Sequence, residues 1–162
     1  LLDLGCGAGE PVAKAFIERG WEVTGVDFCE AMLGLARRYV PQMRPVCADI
    51  RDVAFEPKSF NAVTAVYSLF HVPVDTHVDL FRRAQAWLRP GGRLMFTYAT
   101  RDYTGAEHFD GWKTFMGQQL YYSHQTPDEL VAQLEGAGLK CESLQEREIG
   151  GERFLWVSAC RP

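Results

Sequence analysis

Hydrophobic residues in this chain fall into short apolar runs that alternate with segments of helical periodicity. The apolar runs have the length of buried strands, and the segments between them place apolar residues three or four positions apart. The pattern therefore predicts strands that alternate with helices. The predicted strands are Leu1–Leu4, Trp21–Val26, Arg44–Ala48, Phe60–Tyr67 and Arg93–Ala99, and the predicted helices are Pro11–Gly20, Cys29–Val40 and Asp75–Leu88.

The carboxyl-terminal part of the chain predicts one more helix and a hairpin. Thr126-Pro127-Asp128-Glu129 has the residue types of a capping box, so we expect a helix to begin there and to end at Gly136-Ala137-Gly138. Two further strands, Leu139–Glu148 and Arg153–Cys160, flank Gly150-Gly151 and predict an antiparallel hairpin.

This order of elements predicts the fold. Strands joined by helices pair in parallel through right-handed crossovers, so we expect an open, doubly wound, Rossmann-like α/β sheet of seven strands, mostly parallel, with the antiparallel hairpin at its end. The exception is Arg101–Gln125, which is aromatic and irregular and whose spacing favours a short helix near Trp112–Leu120. Such sheets bind ligands at the carboxyl ends of their strands, where the winding direction reverses.

Composition limits the possible functions. The chain has 162 residues, of which 47% are hydrophobic and 23% charged, as is typical of one globular domain spanning residues 1–162. Its net charge of −4 disfavours nucleic acid as a partner, because binding the phosphate backbone requires a basic stripe. There is neither an apolar run long enough to cross a bilayer nor a signal-peptide pattern, so we expect a soluble protein with no membrane partner.

The cysteines and the first strand support two smaller expectations. The five cysteines are scattered and never form a CxxC pair, which predicts the reduced thiols of a cytoplasmic protein and no metal site. Only Leu1–Leu4 precedes the glycine-rich loop, and a charged amino terminus at the base of a buried strand is unfavourable. We therefore expect the native protein to have residues upstream of Leu1.

A glycine-rich loop, Asp3-Leu4-Gly5-Cys6-Gly7-Ala8-Gly9, joins the first predicted strand to the first helix. Glycines at this place let the backbone approach a ligand closely. The dinucleotide fingerprint G-x-G-x-x-G is not met, because Glu10 or Val12 stands where its third glycine belongs. Glu10 would also repel a pyrophosphate at the helix amino terminus, and no P-loop lysine follows. The loop therefore favours a nucleoside ligand without phosphates, and S-adenosylmethionine fits because its sulfonium and ammonium groups are cationic.

The loop LLDLGCGAG resembles motif I of the class I S-adenosylmethionine-dependent methyltransferases. Other segments resemble that family's motifs in the same order: VTGVDFCEAMLGLAR the second-strand motif, CADI the adenine-binding motif, FNAVTAVYSLFHV motif IV, and LRPGGRLMFTY the strand after the core. The resemblance covers essentially the whole chain and is closest to the bacterial small-molecule branch, similar to methyltransferase types 11 and 25. It implies S-adenosyl-L-methionine as cofactor and S-adenosyl-L-homocysteine as product.

The resemblance also implies which residues bind the cofactor. Asp3 would face its cationic end, Asp27 would accept hydrogen bonds from the ribose hydroxyls, and Asp49 would accept one from the adenine amino group. Structural alternatives stay open for both aspartates. Asp27 could cap the following helix, and Asp49 could be a turn residue that contacts no ligand. The expected cofactor-binding residues are Asp3, Gly5, Cys6, Gly7, Gly9, Asp27, Phe28, Asp49, Ile50 and Tyr67.

Methyl transfer from a sulfonium needs little acid–base chemistry. The reaction is an in-line displacement with an activated leaving group, so the enzyme mainly aligns the reactants, and a general base is optional. His71, just past the fourth strand, is the candidate base by position, and a loop histidine packed beside Val72-Pro73 is the structural alternative. His108 and His124 are weaker candidates, and His77 is expected on a solvated helix face.

The aromatic residues of Arg101–Gln125 have two interpretations. They could form one packed face, or they could line the substrate pocket, as the resemblance implies for insertions after the fifth strand. The candidate pocket residues are His71, Tyr103, Trp112, Tyr121 and Tyr122, with Tyr121 and Tyr122 favouring the pocket.

Three functions remain after these arguments. The first is an active small-molecule methyltransferase, the second is an inactive methyltransferase-like binding or regulatory subunit, and the third, disfavoured by the glycine spacing, is a nicotinamide-dependent oxidoreductase. The intact Asp3, Asp27 and Asp49 favour the first. Asn61 departs from the acidic residue that usually starts motif IV, and no Asn-Pro-Pro-Tyr signature of nucleic-acid methylation is present. We expect a small-molecule substrate and a monomer or homodimer.

Overall fold

The computed structural model describes residues 1–162. Its strands are β1 (Leu2–Leu4), β2 (Thr24–Asp27), β3 (Arg44–Cys47), β4 (Phe60–Ala65), β5 (Leu88–Tyr98), β6 (Phe109–Phe115), β7 (Gln118–His124), β8 (Lys140–Ile149) and β9 (Glu152–Cys160). Its helices are α1 (Val12–Ile17), α2 (Glu30–Tyr39), α3 (His77–Trp87), α4 (Arg101–Thr104) and α5 (Pro127–Gly136), with short 3₁₀ turns at Leu69–His71 and Val74–Thr76.

One sheet of seven strands organises the molecule, in the order β3-β2-β1-β4-β5-β9-β8. Strands β1 to β5 pair in parallel, and β9 is antiparallel to both β5 and β8. The predicted seven-stranded, mostly parallel sheet with a terminal hairpin is confirmed. The chain winds outward from β1 to β3 and then returns to place β4 beside β1. The winding direction thus reverses at β1 and β4, where such sheets form a ligand crevice.

Helices cover both faces of the sheet and bury two apolar clusters. The larger cluster contains 24 buried residues and includes Leu80 of α3 and Leu130 of α5. The smaller contains 8 buried residues and includes Ala13 of α1 and Leu33 of α2. Burial on both faces explains why the central strands are continuously apolar in sequence. None of the helices combines the length with the apolar character that a bilayer span requires.

The prediction of a short helix near Trp112–Leu120 is wrong, because this segment forms a separate two-stranded hairpin of β6 and β7. Met116 and Gly117 have φ values of 49° and 78°, and two successive positive values make the tight turn that suits hairpin twist. Trp112 pairs across the strands with Tyr121, their ring centroids 5.7 Å apart. The aromatic residues favour extended backbone, and spacing alone did not reveal the turn.

His77 is also placed differently from its prediction, since its side chain is 0% exposed rather than solvated. It lies on the same face of α3 as Leu80 and Phe81, which pack into the core. The imidazole occupies this position because buried polar partners are close by: Nδ1 is 3.3 Å from the Tyr98 hydroxyl and Nε2 is 3.2 Å from the Val72 carbonyl.

Element bounds differ from the predicted ones mainly around β5. This strand begins at Leu88, which pairs with Phe60, rather than at Arg93. The capping box predicted at Thr126 is confirmed, because the Thr126 hydroxyl accepts from the Glu129 N–H while the Glu129 carboxylate accepts from the Thr126 N–H. The short helix α4 was not predicted.

The buried imidazole of His77 predicts a pH-dependent stability. Burial lowers the pKa of His77 from an ordinary value of 6.5 to about 4. Between these two pH values His77 is protonated in the unfolded chain and neutral in the folded chain, so lowering the pH favours unfolding. We expect the free energy of unfolding of the wild type to fall by about 2–3 kcal/mol more than that of His77→Gln between neutral pH and about pH 4.5. Urea unfolding at both pH values measures this difference.

Asp3 has the opposite effect, because its pKa is raised to about 6 by burial and its ionisation destabilises the fold as the pH rises. The contribution of Asp3 is the same in the wild type and in His77→Gln, so it cancels when their pH dependences are compared. Identical pH dependences of wild type and His77→Gln would contradict the prediction.

Candidate functional site

The glycine-rich loop turns sharply at Gly5, directly after β1. Gly5 has a φ of +74°, and a Cβ at this position would lie 2.2 Å from the Cβ of Ser68, which follows β4. The Ser68 hydroxyl donates a hydrogen bond of 2.6 Å to the Leu4 carbonyl. Gly5 and Cys6 both donate their N–H groups to the Val26 carbonyl on β2. Only glycine permits the backbone to pass this close to the end of β4.

Asp27, at the carboxyl end of β2, joins the loop to the next helix. Its carboxylate accepts one hydrogen bond from the Gly7 N–H at 2.8 Å and another from the Cys29 N–H at 2.9 Å, just before α2. Cys29 is the N-cap residue of α2 and no side chain caps this helix, so the capping alternative for Asp27 is not realised, and the contact with Cys29 closes the turn before α2. This contact does not compete with a ligand role, because a carboxylate accepts several hydrogen bonds and Asp27 also lines a cavity.

Asp49 follows β3 and pairs with Arg51 within the same turn. The Asp49 carboxylate accepts from the Arg51 N–H at 2.8 Å and from its guanidinium at 2.6 Å. The hydrogen bond from Arg51 lowers the pKa of Asp49. The Arg83 guanidinium of α3 donates hydrogen bonds to the Arg51 and Val53 carbonyls and so ties the turn to α3. The turn role considered for Asp49 is thus present, and its carboxylate also lines the cavity.

These groups border one cavity of about 400 Å³ at the carboxyl edge of the sheet. Seven predicted site residues lie in its wall, which consists of Gly5, Asp27, Phe28, Asp49, Ile50, Arg51, Tyr67, Ser68, His71 and Val72. A shallower depression of about 720 Å³ lies at the opposite edge, where β2, β3 and β4 begin. The smaller cavity is the candidate site, because open α/β sheets bind ligands at the carboxyl ends of their strands.

Tyr67 reaches the cavity through an unusual backbone conformation. Its φ is +54°, and its N–H donates a hydrogen bond of 2.7 Å to the Thr97 hydroxyl. Its ring is held edge-on by Phe154 at a centroid distance of 5.3 Å and by Trp156 at 6.2 Å. Non-glycine residues with positive φ are uncommon and cluster at functional sites.

His71 presents one nitrogen that no protein group engages. Nδ1 lies 2.7 Å from the Tyr121 carbonyl of β7, and a carbonyl only accepts, so Nδ1 carries the proton in the neutral ring. Nε2 then has the free lone pair of a base. Burial lowers the pKa of His71, which keeps the ring neutral at physiological pH.

Four predicted cofactor-binding residues do not line the cavity: Asp3, Cys6, Gly7 and Gly9. Asp3 is only 3% exposed, and its carboxylate accepts a hydrogen bond of 2.6 Å from the Thr64 hydroxyl. Asp3 is thus buried outside the cavity wall, and its role toward the cationic end of the cofactor stays a prediction. Gly7 still contributes indirectly, since its N–H fixes the Asp27 carboxylate.

The aromatic residues predicted for a substrate pocket lie outside the cavity wall. Tyr122 is 3% exposed and stacks on Phe70 at 5.5 Å, and the Tyr103 hydroxyl donates to the Tyr122 hydroxyl at 3.1 Å. These two form packing contacts, so the packed-face interpretation describes them. Trp112 is 68% exposed, and Tyr121 contacts His71 through its carbonyl. An acceptor contact for Trp112 or Tyr121 stays a prediction.

Comparison with known families agrees with this geometry. Residues 1–92, from the glycine loop to the start of β5, match the family model described as "Methyltransferase domain". The chain belongs to this methyltransferase family. A curated relative, the ubiquinone biosynthesis O-methyltransferase of Idiomarina loihiensis, is 34% identical over 152 residues, which cover 86% of this chain and 61% of that protein. The chain thus spans less than two thirds of this relative's length.

Solved methyltransferases share the fold. The 1,6-didemethyltoxoflavin-N1-methyltransferase of Burkholderia thailandensis, solved with 1,6-didemethyltoxoflavin and S-adenosylhomocysteine, is 26% identical with a TM-score of 0.76, covering 99% of this chain and 69% of that one. An S-adenosylmethionine-dependent methyltransferase of Mesorhizobium loti, 24% identical, has a TM-score of 0.82 and covers 99% and 90% of the two chains. The second similarity supports the fold alone.

The methyltransferase domain also contains cavity residues that the sequence did not identify. Ser68 forms the floor under Gly5, Val72 lines the wall beside His71, and Arg51 neutralises Asp49. The only sequence signal for Ser68 was a small residue directly after a buried strand. Arg51 stood in a predicted turn, which gives no indication of the direction of its side chain.

Alanine substitutions at two glycines with similar backbone angles can distinguish the cost of backbone strain from the cost of a steric clash in the methyltransferase domain. Gly5→Ala meets both the positive φ and the Ser68 side chain, so we expect a loss of about 2–4 kcal/mol of unfolding free energy. Gly20, with a φ of +82° and no atom within 4 Å of an added Cβ, is the matched control. Gly20→Ala should lose only about 1 kcal/mol. Equal losses in urea unfolding would show that the Ser68 contact is unimportant.

Proposed function

We propose that this chain is the catalytic domain of an S-adenosylmethionine-dependent methyltransferase that acts on a small molecule. The observation that carries the proposal is the convergence of Asp27 and Asp49 on one cavity beside the Gly5 turn. Carboxylates at the ends of adjacent strands are suited to accept hydrogen bonds from ribose hydroxyls and an adenine amino group. Membership in the methyltransferase family supports the same assignment.

The charges around the cavity fit a cofactor without phosphates. Arg51 is the only lysine or arginine in its wall, and it is paired with Asp49. A pyrophosphate would find no free cation there, whereas a sulfonium and an ammonium group would benefit from the nearby carboxylates. A nicotinamide dinucleotide is therefore the weaker candidate. The Burkholderia relative, solved with S-adenosylhomocysteine, supports this choice.

In this mechanism the chain's residues mainly bind and orient. Bound S-adenosylmethionine supplies an activated methyl group on a sulfonium. Asp27 and Asp49 would hold the nucleoside, Ile50 and the largely exposed Phe28 would cover it, and the glycine loop would let the backbone come close. His71 would hold its free Nε2 beside the acceptor and would take up the proton that the acceptor group loses. Alignment of the two reactants contributes most of the rate.

The acceptor group is best proposed as a hydroxyl. A neutral imidazole base is most useful to an acceptor that must lose a proton, and the curated relatives are named O-methyltransferases. The free Nε2 of His71 favours an active enzyme over a binding or regulatory subunit. A cytoplasmic location and a monomeric or homodimeric state stay predictions.

The first test of the proposed function is cofactor binding. We expect calorimetry to detect S-adenosylhomocysteine and S-adenosylmethionine but not NAD or NADP. Asp27→Ala should weaken binding by about 1–3 kcal/mol, because ribose hydroxyls lose a half-buried acceptor. Asp52→Ala, an exposed carboxylate outside the cavity wall, is the control and should bind like the wild type. NAD binding without a response to S-adenosylhomocysteine would overturn the proposal.

The second test is a pH–rate profile with an acceptor found by screening phenols, alcohols and amines against labelled S-adenosylmethionine. Loss of a general base costs about 10²–10⁴-fold in rate, and we expect this range for His71→Asn. The wild-type rate should fall on the acid side as Nε2 becomes protonated, at a pH below the ordinary imidazole value because the pKa of His71 is lowered. The variant should lack this acid limb. Profiles of equal shape and height would assign His71 a structural role.

A further inference from the structure

A buried polar cluster ties the β6–β7 hairpin to the body of the protein. The Ser123 hydroxyl of β7 donates a hydrogen bond of 2.5 Å to the Val72 carbonyl. His77 Nε2 lies 3.2 Å from the same carbonyl and 3.2 Å from the Ser123 hydroxyl, and Nδ1 lies 3.3 Å from the Tyr98 hydroxyl. Ser123 and His77 are each 0% exposed. Neither of these two side chains lines the cavity.

One protonation pattern satisfies the whole cluster. The Val72 carbonyl can only accept, so Nε2 of His77 donates and its Nδ1 accepts from the Tyr98 hydroxyl. The Tyr98 oxygen in turn accepts from the Gln125 N–H at 3.1 Å. Every polar atom of the cluster has a partner when His77 is neutral, and fully satisfied buried networks hold one arrangement rigidly.

This cluster lies next to the contact that orients His71. Val72 follows His71 in the chain, and Ser123 lies two positions after Tyr121, whose carbonyl accepts from His71 Nδ1 at 2.7 Å. Two hydrogen bonds therefore join the same pair of segments in opposite directions: Ser123 to the Val72 carbonyl, and His71 to the Tyr121 carbonyl. A shift of β7 that lengthened one would lengthen the other.

The opposite side of the hairpin gives it a second, apolar attachment. Tyr122, between Tyr121 and Ser123, stacks on Phe70 at 5.5 Å, and Phe70 stacks on Phe154 at 4.9 Å. Stacking opposes separation of the two segments but tolerates sliding, whereas hydrogen bonds have narrow geometry. The buried hydroxyl of Ser123 therefore helps to set the register of the Tyr121 carbonyl, together with the hydrogen bond of 2.6 Å between His124 Nε2 and the Thr104 hydroxyl.

We propose that Ser123, backed by His77, is a positioning residue that holds the Tyr121 carbonyl against His71 and thereby fixes the ring with Nδ1 protonated and Nε2 free. The value of this arrangement for catalysis rests on the proposed function, in which Nε2 accepts the acceptor's proton. The tautomer itself does not, because it follows from hydrogen bonds within the chain. The two ideas can therefore fail separately.

Nitrogen-15 NMR of the imidazole rings tests the proposal on the protein alone. The chain has only four histidines, so single His→Gln variants assign the spectrum. We expect wild-type His71 to show a protonated Nδ1 and an unprotonated Nε2. In Ser123→Ala the ratio of the Nδ1–H to the Nε2–H form should fall by roughly fivefold, the effect of weakening one hydrogen bond. Ser123→Cys keeps the volume with a weak donor and should give a smaller shift in the same direction.

Ser59→Ala is the matched control, because the Ser59 hydroxyl also donates to a backbone carbonyl, that of Glu56 at 2.7 Å, but lies outside the cavity wall. Its His71 spectrum should equal the wild type. With a screened acceptor, Ser123→Ala should lower kcat by roughly tenfold or more and leave the KM for S-adenosylmethionine within about twofold.

Specific results would overturn the proposal. A wild-type His71 protonated on Nε2 would refute the tautomer, and unchanged His71 spectra in both folded Ser123 variants would refute the positioning role. If Ser123→Ala does not fold, Ser123→Cys alone decides the question. A shifted tautomer together with an unchanged pH–rate profile would keep the positioning role and instead refute His71 as the base.

Discussion

The close passage of the Gly5 backbone over Ser68 is the contact on which the candidate site depends. It occurs where β1 and β4 lie side by side and the winding of the sheet reverses, so it also fixes the position of the crevice. Because Gly5 and Cys6 then bond to the end of β2, the loop brings the Gly7 N–H to the Asp27 carboxylate. The part of the cavity wall next to the glycine-rich loop is thus formed by backbone. Glycine is needed at position 5 for steric reasons, whether or not a ligand is bound.

Another part of the cavity wall is formed by Asp49 and His71, whose positions are fixed by neighbouring elements. Arg83 fixes the Asp49 turn from α3, and the hairpin fixes His71 through the Tyr121 carbonyl. The charge of the cavity lining also varies, since Asp27 and Asp49 contribute carboxylates while His71 is kept neutral by burial. That division suits a cationic cofactor on one side and an acceptor that loses a proton on the other.

Much of this arrangement could be predicted from the sequence, because it follows from chain order. Asp27 and Asp49 end strands that periodicity identifies, and parallel strands bring their ends to one edge. His77 was misplaced because its burial depends on a partner, Tyr98, that lies far away in sequence. The β6–β7 hairpin was missed because its aromatic residues fit helical spacing, and the turn that decides against a helix is set by backbone angles.

A crystal structure of the protein grown with S-adenosylhomocysteine tests the central claim most directly. The account predicts the ligand in the cavity of about 400 Å³, with its ribose hydroxyls on Asp27, its adenine beside Asp49 and Ile50, and its sulfur on the side of Tyr67 and His71. A ligand bound at the opposite edge of the sheet, or in this cavity with its ribose away from Asp27, would contradict it.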